Sequence, residues 1–215
     1  MWRIGIIDDK EGERADIQVS ILENVENKNE IDFKEYEIVK RTKEDLFSEI
    51  IEDISEERIH ALIVDYRLDT SQVVIKGWEI VEYMHEHIPE FPVIIMTNVP
   101  DESKESIYID ADKVYPKIIF LNTKHPNTKE MVANILSNIQ KYIKRRKELE
   151  GSLAIELDKL DKNSTDENII ADVLELEKSL SKYTETQQTL LDQTLDMSEL
   201  KEVLKELKDI SLKCN

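Results

Sequence analysis

Five short apolar runs, each separated from the next by a stretch with helical spacing, leave few folds open to the first 123 residues. The runs are Trp2 to Ile7, Phe33 to Val39, Ile59 to Val64, Pro92 to Met96 and Lys113 to Ile119. Between them, apolar residues recur three and four apart over Ala15 to Val25, Lys43 to Ile54, Trp78 to His87 and, more weakly, Glu102 to Ile109. Alternating strand and helix patterns predict βα units around a mostly parallel sheet. Consecutive apolar residues at Ile4, Ile6, Ile7 and at Leu62, Ile63, Val64 fit strands covered on both faces.

After His125 and Pro126 the pattern changes to long Leu-, Lys- and Glu-rich helices, so residues 124–215 read as a helical extension continuing from the last βα unit. Asn127 with Glu130 reads as a capping box, and Val132, Leu136, Ile139 and Ile143 form an apolar stripe. The stripe continues through Leu149, Leu153, Leu157 and Leu160, with Gly151 a point of interruption. Asp166 caps a second helix carrying Ile169, Val173, Leu176, Leu180 and Tyr183. Asp196 with Glu199 suggests a further cap before Leu200, Leu204 and Leu207, and Tyr183 to Gln188 reads as an exposed turn of helix or a local fray. Such a stripe closes on itself as a helical hairpin, or serves as a coiled coil in a homodimer, or captures a partner.

A formal charge of −18 and a pI near 4.7 argue against nucleic acid as a partner, because that binding draws its strength from Lys and Arg against phosphates. The basic run from Lys141 to Lys147 is followed at once by Glu148 and Glu150 and reads as a solvated helix face. The single cysteine, Cys214, offers no intrachain disulfide, and no apolar stretch is long enough to cross a bilayer. The expected location is the cytoplasm, with no membrane partner.

Three carboxylates fall where neighbouring parallel strands would end: Asp8 and Asp9 after the first run, Asp65 after the third. The carboxyl ends of strands are where open parallel sheets bind ligands, so the three should converge. Together they call for a cation, and Mg²⁺ is the hard, oxygen-seeking ion that leaves room for phosphate oxygens. Thr97 after the fourth run can hydrogen-bond a phosphoryl oxygen, and Lys117 at the fifth can pair with another.

Ile6-Ile7-Asp8-Asp9-Lys10, Leu62-Ile63-Val64-Asp65-Tyr66-Arg67-Leu68, Val93-Ile94-Ile95-Met96-Thr97 and Val114-Tyr115-Pro116-Lys117 resemble the signature blocks of bacterial response-regulator receiver domains of the CheY-like superfamily. The resemblance implies a doubly wound, five-stranded parallel sheet over residues 1–123, of flavodoxin or receiver type. It implies Asp65 as phosphoacceptor from a histidine kinase or phosphotransfer protein. Asp8, Asp9, Asp65 and the backbone carbonyl of Arg67 would hold Mg²⁺, while Thr97 and Lys117 would read the phosphoryl group. The protein would then be a two-component signalling switch rather than an enzyme, speaking to an output protein through its tail. Four features depart from the family, one of them a slightly short stretch from Thr97 to Lys117. Pro116 precedes Lys117 rather than following it, Val114 stands three places before the lysine where the family has its aromatic, and the Asp65 to Gly77 loop is long.

Two other functions share parts of this pattern. A phosphatase working through an aspartyl-phosphate needs a general acid two residues after the nucleophile, where Arg67 stands. A receiver-like scaffold independent of phosphorylation is the remaining alternative. His60, His85, His87 and His125 lack metal-ligand spacing and read as surface residues, and Trp2 and Trp78 as packing residues.

Overall fold

The computed structural model describes residues 1–39, 41–68, 75–98, 113–163 and 166–185. The chain divides into Met1–Glu185 and Thr186–Asn215, and everything described belongs to the first unit. The weak helical pattern at Glu102 to Ile109, most of the Asp65 to Gly77 loop and the cap at Asp196 lie outside the described residues.

The strands are β1 (Trp2–Ile7), β2 (Ile31–Glu35), β3 (Ala61–Asp65), β4 (Val93–Thr97) and β5 (Val114–Pro116). They form one five-stranded, all-parallel sheet in the order β2-β1-β3-β4-β5. The helices are α1 (Glu11–Glu23), α2 (Lys43–Ser55), α3 (Gly77–His87), the short α4 (Lys117–Phe120), α5 (Pro126–Lys162) and α6 (Glu167–Leu180). This is the doubly wound receiver-type topology expected from the sequence. The second run leaves the sheet at Glu35, though Tyr36 and Ile38 beyond it stay buried. The fifth run stops being a strand at Pro116, and Lys117 opens α4.

The period-two geometry of the strands sorts the core into two faces. Ile4, Ile6, Ala61, Ile63, Ile94, Met96 and Tyr115 face α1, α4 and α5 through Ile17, Ile21, Phe120, Val132, Ile135 and Ile139. Ile7, Leu62 and Val64 face α2 and α3 through Leu46, Ile50, Ile54, Ile80 and Met84. Each buried Ile, Leu, Val, Met or Phe among them contributes about 1.5–3 kcal/mol by leaving water. Gly5 lies on the second face because a Cβ there would sit 2.8 Å from Leu62 Cδ1 and 2.9 Å from Tyr36 Cε2.

The extension does not begin as the capping box suggested. His125 is the N-cap, its Nδ1 accepting from Asn127 N at 3.2 Å, and Pro126 opens the helix where a missing N–H costs nothing. From there α5 runs 37 residues without a break at Gly151. Its buried stripe is Val132, Ile135, Ile139, Tyr142, Arg146 and Leu149, so its first half covers the sheet. Asp166 caps α6 as expected, accepting from Asn168 N at 3.0 Å.

Two tail readings are corrected. Arg146 is not on a solvated face: it is 7% exposed and donates to the Ile54 and Ser55 carbonyls at 2.8 and 3.0 Å. Tyr183 is not an exposed turn. It stacks on Tyr142 at 5.8 Å, its carbonyl accepts from the Tyr142 hydroxyl at 2.6 Å, and Glu90 N donates to the Lys182 carbonyl at 3.0 Å. The end of α6 is therefore returned along α5 to the sheet domain, as an antiparallel hairpin. Among the described residues, no helix is long and apolar enough to cross a membrane.

Candidate functional site

Four adjacent strands end at one edge of the sheet and each delivers one polar residue there. Asp8 follows β1, Asp65 and Thr97 are the last residues of β3 and β4, and Lys117 directly follows β5. All four are buried. Burying charge is costly unless it is paired, and here the pairing is dense.

The Lys117 ammonium lies 2.7 Å from Asp8 Oδ2 and 2.9 Å from Asp65 Oδ2, and it also pairs with Glu13. An ammonium has three donors, and three carboxylates take them. Burial alone would depress the Lys117 pKa, but the hydrogen bonds to Asp8, Glu13 and Asp65 hold it above the usual lysine range. Burial raises Asp8 above the normal carboxylate range despite its bond to Lys117. Asp65 is pushed up to about 6 by burial, against the opposing pull of Lys117.

Backbone groups place these side chains. Lys10 N donates to Asp8 Oδ1 at 2.9 Å, turning the chain from β1 into α1, and Arg14 Nη1 donates to the Asp8 carbonyl at 2.7 Å. Arg67 N donates to Asp65 Oδ1 at 3.3 Å. The start of α3 is pressed onto the Asp65 backbone, since a Cβ on Gly77 would fall 1.8 Å from the Asp65 carbonyl oxygen.

Sequence reasoning brought Asp8, Asp65, Thr97 and Lys117 to one place and missed Glu13. Among the described residues, the carboxylates whose oxygens lie within 4.8 Å of one another are Asp8, Glu13 and Asp65. Glu13 also accepts from Lys10 Nζ at 2.8 Å, and its bonds to Lys10 and Lys117 outweigh burial to keep its pKa low. Starting the first helix at Ala15 left Glu13 in a loop. The signal was Lys10 with Glu13, an i,i+3 pair directly after two aspartates.

Asp9 stands apart from that trio. Both of its carboxylate oxygens are buried with no hydrogen-bond partner among the described residues. A desolvated, unpaired carboxylate next in sequence to the buried Asp8 has the chemistry of a cation ligand. The donor set here, all oxygen, fits Mg²⁺ rather than a softer metal.

The histidines take no part in the site. His60 is half-buried rather than on the surface: its Nδ1 accepts from Arg3 N at 3.1 Å and burial lowers its pKa. Trp78, expected to pack, is 45% exposed at the start of α3. Tyr115 faces α5 and stacks on Phe120 at 6.2 Å, whereas Val114 packs with Val81 and Ile95 on the opposite face.

No protein-family model and no curated protein sequence matches the chain. Solved structures do, among them response regulators and a receiver domain. A two component transcriptional regulator AraC from Clostridium phytofermentans ISDg is 18% identical over 66% of this chain and 99% of that one, with a TM-score of 0.41. A response regulator receiver domain from Rhodospirillum rubrum is 19% identical over 66% and 94%, with a TM-score of 0.37. The Salmonella typhimurium RcsB response regulator, studied for its interaction with DNA, is 16% identical over 90% and 99%, with a TM-score of 0.43.

Proposed function

We propose that this protein is a phosphorylation-dependent signalling switch in which Asp65 accepts a phosphoryl group and the helical extension carries the response to a partner protein. The observation that supports this reading is the Lys117 ammonium held between Asp8 and Asp65 at the carboxyl edge of a parallel sheet. On this reading, residues 1–123 form the receiver and residues 124–215 its extension. The donor is a histidine kinase or phosphotransfer protein.

An Asp65 carboxylate oxygen attacks phosphorus in line, the bond from phosphorus to the donor nitrogen breaks, and an acyl phosphate is left on Asp65. Lys117 takes one phosphoryl oxygen through its ammonium and Thr97 another through its hydroxyl, the two being fixed by β5 and β4. Asp8, Asp9, Asp65 and the Arg67 carbonyl would hold Mg²⁺, which when bound offsets the charge of the phosphoryl oxygens. Water later returns Asp65 and inorganic phosphate.

The test is uptake of phosphoryl from a small acyl phosphate or phosphoramidate, read by intact mass, and binding of beryllofluoride. Both are expected to need Mg²⁺ and to be lost in Asp65→Asn. Failure of the natural chain in both assays would overturn the reading.

A phosphorylation-independent scaffold is favoured by one observation. Tyr115 is buried against Phe120 on the α5 side of the sheet, opposite the face that Val114 occupies. The place three before Lys117, where the family has its aromatic, is Val114, so the aromatic that would couple to Thr97 is missing from its usual position.

A further inference from the structure

Lys117 spends all three of its donors on carboxylates before any phosphoryl group arrives. An incoming phosphoryl oxygen therefore has to displace one of them. Asp8 is fully buried, and among the described residues its side chain is held by Lys117 and the Lys10 N–H, so giving up the ammonium would leave its desolvated charge to a bound cation alone. Asp65 carries the phosphoryl group itself. Glu13 differs from both: its side chain is 23% exposed, and it keeps a second cation, Lys10, at 2.8 Å.

We infer that Glu13 is a positioning residue that competes with the phosphoryl group for Lys117, and that Lys10 sets the strength of that competition by holding Glu13 when it is released. The inference rests on the reading of Asp65 as phosphoacceptor. In the unphosphorylated protein Glu13 steadies the ammonium, and on phosphorylation it turns to Lys10 alone. Its carboxylate also adds a repelling charge, with an oxygen within 4.8 Å of one Asp65 oxygen. Glu13 thus lowers occupancy by phosphoryl and shortens the life of the acyl phosphate. Lys10 works in the opposite sense.

The experiment is a double-mutant cycle on the full chain with Glu13→Gln, Lys10→Gln and both together, reading beryllofluoride affinity and acyl-phosphate lifetime with Mg²⁺ present. Glu13→Gln is expected to tighten the mimic about fivefold and lengthen the lifetime by a similar factor, a change on the scale of one partly exposed ion pair. Lys10→Gln alone is expected to move both in the other direction, and in the Glu13→Gln background to do nothing. The ¹⁵N signal of the Lys117 ammonium is expected to shift in Glu13→Gln, which a merely structural change elsewhere in α1 would not produce.

Uptake by the natural chain with no change in Glu13→Gln, or with Lys10→Gln equally effective in both backgrounds, overturns this inference and leaves the reading of Asp65 standing. No uptake and no mimic binding by the natural chain overturns both.

Discussion

Arg146 donates its Nη1 hydrogen to the carbonyl of Ile54 at 2.8 Å, joining residues ninety-two apart in sequence. A second bond from Nη2 reaches Ser55 at 3.0 Å, and Nε pairs with Glu150 at 2.7 Å. The last carbonyls of a helix lack partners within it and carry partial negative charge, so a guanidinium at the end of α2 both caps it and meets its dipole. The same residue fixes α5, and with it the hairpin, to the sheet domain.

Arg146→Ala is therefore expected to lower stability by about 2–3 kcal/mol, because buried carbonyls lose a charged donor. Arg146→Lys should recover only part of this, since one ammonium does not reproduce the planar fork. Urea unfolding gives the stability, and limited proteolysis in the region of α6 reads whether the hairpin has come loose. A loss below ~0.5 kcal/mol would mean that the cap contributes little.

The close approach of Gly77 to Asp65 gives a second expectation. A methyl group 1.8 Å from a backbone oxygen has no side-chain rotation by which to escape, so α3 or the end of β3 must move. Gly77→Ala is expected to cost about 3 kcal/mol or more, the range of severe overpacking. It should also disturb the Asp65 amide and its neighbours in an NMR spectrum more than residues of the β2 edge. Unchanged stability would show that the start of α3 has room to shift.

Much of the fold and part of the site were legible for one reason: the inner strands of a parallel sheet are buried on both faces, so their apolar runs stop where the site begins. Ile7 before Asp8, Val64 before Asp65 and Met96 before Thr97 mark those stops. Glu13 was hard to read because its local pair with Lys10 is commonplace and its importance comes from Lys117, 104 residues away. Arg146 was misread for a related reason. Within α5 it looks like its exposed neighbours Arg145 and Lys147, and only the carbonyls of α2 distinguish it. Local pattern reports the face of a helix, not which distant groups need a donor.

The concentration of acid at the carboxyl edge should be visible as a cation-dependent stability. Burial raises both Asp8 and Asp65, the latter to about 6. A raised carboxylate opposes folding at pH values above its folded pKa, and the penalty is relieved as pH falls through about 6. At neutral pH, Asp65→Asn is expected to stabilise the metal-free protein by about 1–2 kcal/mol, as removal of strained site charge commonly does. Mg²⁺ should stabilise the natural chain by about 1.4 kcal/mol at ten times its Kd, and Asp8→Asn should weaken that response. Thermal melts with and without Mg²⁺ decide it: equal shifts in all three proteins would place the cation elsewhere.

Asp53 supplies the opposite case, a buried carboxylate that stabilises. It is fully buried, yet Oδ2 accepts from the Tyr36 hydroxyl at 2.6 Å and from Lys34, while Oδ1 accepts from Arg58 Nε at 2.5 Å. Burial alone would raise its pKa, but the bonds from Lys34, Tyr36 and Arg58 prevail and hold it below the usual carboxylate range. A depressed folded pKa means that the unfolded chain binds the proton more readily, so this contribution is fully present above about pH 4–5 and is lost as pH falls through the folded value. Asp53→Asn is expected to cost about 2–3 kcal/mol at pH 7, discounted because Lys34 and Arg58 can turn to solvent while the Tyr36 hydroxyl cannot. The gap between the two proteins should then narrow steadily below pH 4 in urea titrations. If it is as wide at pH 3 as at pH 7, the loss comes from altered packing around Tyr36 rather than from the charge on Asp53.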